Sequence, residues 1–99
     1  MSEAYTDNSI VRRATDQVWS DMGGEAIILN MKSGMYFGMH EVAALIWSLL
    51  EKPHTIGQIR EAILREYDVD QETCEHDLTS FLQEMESAAL IEIENGARA

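Results

Sequence analysis

The stretch "NMKSGMYFGMHEVAALIWSLL", Asn30 to Leu50, decides the fold. A loop closed by Gly34 leads into the aromatic run MYFGM, and within a few residues the pattern changes from alternation to a helical repeat. In that run Met35, Phe37 and Met39 fall on one face and Tyr36 and Gly38 on the other, as the two-residue period of a strand requires. From Val42 onward, Leu45, Ile46, Leu49 and Leu50 recur at helical spacing. Ala43, Ala44 and Trp47 widen this stripe until the helix is apolar on most sides. A helix of that kind is buried between a sheet and other helices. Pro53 ends it, because proline cannot continue the backbone ladder.

The elements on either side follow from the same periods. "EAIILN", Glu25 to Asn30, is a β-branched run of strand length, preceded by the turn signal Gly23-Gly24. Met31 to Gly34 form the hairpin loop, with Gly34 suited to a positive φ. Ile10 to Met22 hold one or two short strands, with Val11, Val18 and Trp19 as the expected buried points. Downstream, Thr55 and Gln58 have the spacing of a capping box, and Ile56, Ile59, Ile63 and Tyr67 line one helix face. Asp70 caps a third helix running to about Ala89, with Cys74, Leu78, Phe81, Leu82, Met85 and Ala89 as its apolar face. "LIEIE", Leu90 to Glu94, closes the domain as a short strand. The expected fold is α+β: a three-stranded antiparallel sheet followed by three helices, in a winged helix-turn-helix-like order. Residues 1–9 and 95–99 are expected to be flexible ends of one domain spanning 10–94.

Composition excludes several functions. The 99 residues make one domain, and 45% hydrophobic with 25% charged residues is globular. No apolar run reaches the roughly 18 residues of a membrane helix. The start MSEAYTDNS lacks a signal peptide's basic and apolar regions, so cytoplasm is the expected compartment. A lone cysteine, Cys74, agrees. The net charge of −11, from 18 acidic and 7 basic residues, repels nucleic acid and anionic membranes and favours a cationic or neutral peptide partner. The three helices leave a DNA-binding winged-helix regulator as the alternative. However, from Asp70 to Leu90, cap included, the chain carries six Asp or Glu and no Lys or Arg.

Catalytic and metal chemistry lacks its parts. His40, His54 and His76 are dispersed, and Cys74 and His76, two apart on a helix, cannot converge on one atom. No nucleophile elbow, zinc-peptidase, dinucleotide or phosphate-loop motif occurs. The expected protein is not an enzyme and carries no cofactor or metal.

Four stretches in order carry a resemblance: "ILNMKSGMYFGM" (Ile28–Met39), "EVAALIWSLL" (Glu41–Leu50), "TIGQI" (Thr55–Ile59) and "DLTSFLQEM" (Asp77–Met85). Over about Val18 to Ile91 the chain resembles PqqD-like proteins, the leader-binding domains also called RiPP recognition elements. It looks most like the stand-alone members of lasso-peptide pathways. Three departures stand out. Met39-His40 replace the usual Leu-Asn before the first helix, which implies a weaker cap. Asn30 replaces an Asp, a mild change, and Ala89-Leu90 replace Gly-Leu at the end of the last helix.

The resemblance implies that a precursor's leader peptide adds as a strand beside the third strand and lies against the third helix. A separate leader peptidase or other modifying enzyme then receives it. The implied contact set is Met35, Tyr36, Phe37, Gly38 and Met39 on the strand with Asp77, Leu78, Phe81, Glu84 and Met85 on the helix. Physical reasoning runs alongside. The last strand of a meander is an edge with unpaired amides, and Met35–Met39 has no charge or proline to block it. Phe37, Leu78, Phe81 and Met85 offer apolar walls, and Asp77 and Glu84 offer charge to basic leader residues. A second copy of the chain is a further candidate for the same edge.

Overall fold

The hairpin around Gly34 joins the central strand of a three-stranded sheet to one of its edge strands. A computed structural model describes residues 5–21, 23 and 25–94. The elements are β1 (Ile10–Arg13), β2 (Gln17–Asp21), β3 (Glu25–Asn30), β4 (Tyr36–His40), α1 (Val42–Leu49), β5 (His54–Thr55), α2 (Ile56–Glu66), α3 (Gln71–Ser87) and β6 (Ile91–Glu94). They make two three-stranded antiparallel sheets, ordered β2-β3-β4 and β5-β1-β6, with three helices. The α+β reading stands. The second sheet, which draws on both ends of the chain, is the part that no local pattern announces.

Register explains the burial. Across β2-β3-β4, Trp19, Ile28 and Phe37 stand in one row, and Asp21, Ala26 and Met39 in another, both on the inner face. Ile28, Ala26 and Met39 are buried there. The next rows, Val18–Leu29–Tyr36 and Ser20–Ile27–Gly38, face outward. Hence Val18 and Trp19 are not the buried points expected from their chemistry: they are 51% and 40% exposed. Val18 lies on the outer face, and Trp19 sits on an edge strand. Val11, in the centre of the other sheet, is fully buried.

The three helices complete the core with Ile46, Trp47 and Leu50 from α1 and its end, Ile59 and Ile63 from α2, and Leu82 and Met85 from α3. A fully buried aliphatic chain contributes about 1.5–3 kcal/mol, so a few such residues exceed a small domain's whole net stability. Thr55 and Gln58 form the expected capping box, with both reciprocal bonds present. Asp70 accepts from the Thr73 amide at 3.0 Å and caps α3.

Two helix ends differ from expectation. Helix α3 stops at Ser87, and Ala89 is exposed at φ 63°, so Leu90 rather than Ala89 enters the core. The Leu90 amide donates to the Met85 carbonyl and the Ala89 amide to that of Glu86, a glycine-type helix stop built on alanine. Helix α1 begins at Glu41, held at φ 53° and ψ −117° with no side-chain cap.

From Tyr5 the chain is tied down, short of the boundary at residue 9 drawn from sequence. Asp7 makes two 2.8 Å bonds to the Arg60 guanidinium, the Tyr5 hydroxyl donates to Glu86 at 2.7 Å, and Ser9 is buried. Residues 1–4 and 95–99 lie outside the described residues.

A candidate peptide-binding groove

Strand β4 is the outer strand of its sheet; β6, the chain's last strand, pairs with β1 instead. The Asn30 amide donates to the Met35 carbonyl, which fixes the phase of the β3–β4 ladder. Alternation then turns the backbone groups of Phe37 and Met39 toward Ile28 and Ala26. Those of Tyr36, Gly38 and His40 point away from the sheet. Among the described residues, no loop or tail backbone bonds to these outward groups.

The opposite wall is α3. Two cavities lie end to end along it, sharing neighbouring helix residues. One, of about 240 Å³, is an apolar cleft where Val42, Ala43 and Ile46 of α1 meet Asp77, Leu78 and Phe81. The other, of about 810 Å³, is an open trough from Met35 and Phe37 to Ser80, Glu84 and Ala88. Thr73, Asp77, Ser80, Glu84 and Ala88 follow one another at helical spacing along this wall. One end of the groove is thus almost wholly apolar, and the other mixes apolar surface with polar side chains.

Asn30 holds the trough's far end together. It is buried, its side-chain Nδ2 donates to the Ala88 carbonyl at 3.0 Å, and its Oδ1 accepts from the Lys32 and Ser33 amides. An aspartate keeps the two acceptor bonds and loses the bond to α3. The exchange read as mild is therefore a clip between hairpin and helix.

The ten residues named from sequence divide into those facing the groove and those in the core. Met35, Phe37, Asp77, Leu78, Phe81 and Glu84 line the two cavities. Tyr36 and Gly38 are exposed and give the edge its outward backbone groups. Met39 and Met85 do not belong with them: both are packed in the core, as buried as Leu78, and unlike Leu78 they line neither cavity. Met39 also spends its backbone groups on β3, so it offers the edge nothing. Sequence reasoning missed His40, whose backbone is on the edge, and the small polar residues Ser80, Gln83 and Ser87 on the trough floor. The three- and four-residue steps from Asp77 to Ser80 and on to Glu84, and from Ser80 through Gln83 to Ser87, were the available signal for the latter.

The groove's other chemistry is quiet. Cys74 lines the cleft at 5% exposure, and burial pushes its thiol up from the ordinary value of 9.0. A thiol shifted that way is less nucleophilic at neutral pH. No helix among the described residues is long and apolar enough to cross a membrane.

Comparison with known proteins accords with this geometry. The family described as coenzyme PQQ synthesis protein D (PqqD) matches residues 25–91. Among solved structures, TbiB1 in complex with the TbiA(β) leader peptide is 36% identical, with a TM-score of 0.78, over 82% of this chain and 94% of that one. A lasso peptide synthetase B1 complexed with its leader peptide shares the fold at 20% identity and a TM-score of 0.71, over 83% and 96% of the two chains. No curated protein matches the chain.

Proposed function

The chain belongs to the PqqD family, and on that premise we propose that it is a non-catalytic adaptor. It captures the leader of a ribosomally made precursor peptide by strand addition and delivers it to a separate leader peptidase or modifying enzyme. TbiB1, the relative at 36% identity, was solved with a leader peptide. A lasso-peptide pathway is the favoured setting, because a protein of the same fold, also solved with a leader peptide, is a lasso peptide synthetase B1. The observation that carries the reading is the open edge of β4 running beside α3.

The mechanism divides between the two walls. A guest strand bonds to the outward groups of Tyr36, Gly38 and His40, each bond contributing on the order of 1 kcal/mol net. These bonds give affinity with little sequence choice. Choice comes from alternate side chains entering the groove: an apolar one in the cleft at Phe81 and Leu78, a polar or basic one near Glu84. Asp77 at the cleft rim adds charge to a mainly apolar site. Holding the peptide raises its effective concentration at the enzyme, so the adaptor accelerates processing without performing it. The acidic α3 disfavours the DNA-binding alternative, since phosphates would meet Glu72, Glu75, Asp77, Glu84 and Glu86 and no Lys or Arg on it. A second copy pairing along β4 competes with the peptide in this reading, so peptide and self-association exclude one another.

The test uses a fluorescently labelled leader and polarisation. Tyr36→Pro deletes an outward N–H, leaves the β3 ladder intact and crowds the guest strand; affinity should fall at least about tenfold. Phe37→Asp places a charge in the trough and should abolish binding, with circular dichroism reporting a folded domain in both cases. Unchanged affinity in both variants would refute strand addition at β4.

A further inference from the structure

Among the described residues the sheet has a second open edge, and beside it lies a cavity that the peptide groove does not use. Ladder phase places it: the Met31 amide donates to the Asp16 carbonyl, so Val18 and Ser20 bond to β3. The backbone groups of Gln17, Trp19 and Asp21 then point away from the sheet. Strand β2 has no lysine or proline to guard that edge, and Val18 and Trp19 are half exposed along it.

Between β2 and α1 lies a cavity of about 310 Å³. Its aromatic wall is a stack in which the Arg13 guanidinium sits 4.3 Å from the Trp19 ring and 4.4 Å from that of Trp47. Asp21, Glu41 and Glu51 also line it. Among the described residues none of the three carboxylates lies in an ion pair; burial pulls the Arg13 guanidinium below its ordinary value, an effect that the nearby Glu51 only partly offsets. Three carboxylates against one guanidinium leave the cavity net negative, a seat for a basic side chain on an apolar stem. Glu41, one of the three, is held at φ 53° and ψ −117°, a backbone conformation that residues other than glycine rarely adopt.

We propose that β2 and this acidic cavity form the surface through which the protein engages its processing enzyme, which contributes an extended segment carrying a lysine or arginine. Charge complementarity selects that occupant over a second copy, because two chains of net charge −11 repel. Placement selects it too. Strands β2 and β4 are opposite edges of one sheet, so enzyme and peptide bind at once and the sheet spans the two. The inference rests on the adaptor reading, and its test separates the two.

The experiment immobilises the pathway's purified leader peptidase and measures binding of the adaptor by interferometry. Labelled leader is titrated against the same adaptor samples. Two variants are compared with the wild type. Asp21→Lys with Glu51→Lys reverses the cavity's charge, and Asp21→Pro removes one outward N–H at a position not bonded to β3. Both should weaken peptidase binding at least about tenfold, leave leader affinity within about twofold, and slow adaptor-dependent cleavage of the precursor. Peptidase binding unchanged in both variants, or absent in the wild type, overturns the proposal while leaving the groove reading intact. Loss of leader binding in the wild type overturns the groove reading, and the peptidase arm still decides this one. A wild type that doubles in mass with concentration, and reverts to monomer as Asp21→Pro, puts a second copy on the edge and also overturns it.

Discussion

The two walls of the groove are built on opposite principles. Strand β4 presents main-chain groups, and its position is fixed along its whole length by the ladder to β3. Helix α3 presents side chains; Cys74, Leu78, Leu82 and Met85 bury it against the core, and a few bonds at its ends set its final pose. Asp70 caps its start, the Asn30 clip and the Ala89 turn finish it, and Arg60 and Tyr5 hold its outer side. The difference teaches where each property resides. A continuous ladder is hard to shift by one substitution, so the strand wall supplies a constant affinity. A helix pinned at its ends can be moved by single residues, so groove width and selectivity belong to the helix wall.

The comparison breaks most visibly at Asn30. Asn30→Asp keeps the hairpin's acceptor bonds but sets a carboxylate against the Ala88 carbonyl in a buried site. The cost should be about 1–3 kcal/mol by urea unfolding, with a several-fold loss of leader affinity as the end of α3 moves. Protonation of that aspartate restores a donor, so the deficit should shrink as the pH is lowered. A variant equal to the wild type in both measurements would mean that the clip does not set the groove.

Much of this was readable in the chain before its coordinates. The Asn30–Leu50 pattern gave the hairpin and the buried helix, and Thr55, Gln58 and Asp70 gave the helix starts, because those signals are local. Three things were not local. The sheet β5-β1-β6 joins residues about 80 apart in sequence, and its members are only two to four residues long. The exposure of Val18 and Trp19 depends on which strands lie beside them, not on their own chemistry. Met39 and Met85 look as suitable for a flexible pocket as Met35 does, and only register and helix phase put them in the core.

The helix wall should also be improvable. Ala89 occupies a left-handed conformation that glycine adopts without steric cost. Ala89→Gly should therefore stabilise the domain by up to about 1 kcal/mol, partly offset by the greater freedom of glycine in the unfolded chain. A firmer end to α3 should raise the midpoint of thermal unfolding while leaving the strand wall unchanged. A destabilised variant would indicate that the Ala89 methyl makes a contact outweighing its strain.

The smallest effects belong to the titrating ties, and they act at opposite ends of the pH scale. Bonds from Thr73 hold the Asp70 carboxyl below its ordinary 3.8, and the Arg60 guanidinium does the same for Asp7. The unfolded chain takes up these protons first, so their contribution is complete above about pH 3.8 and drains away as the pH falls through the lower folded values. Tyr5 works the other way. Burial and the bond to Glu86 push its hydroxyl up to about 12 from 10.0, so its contribution is complete below pH 10 and is lost as the pH rises toward 12. Asp70→Asn retains a capping oxygen without a titrating group, and should flatten the acid limb of a stability profile while changing little at neutral pH. Tyr5→Phe should flatten the alkaline limb alone. If either substitution flattened both limbs, the two ends of α3 would be coupled, and the helix wall would move as one body.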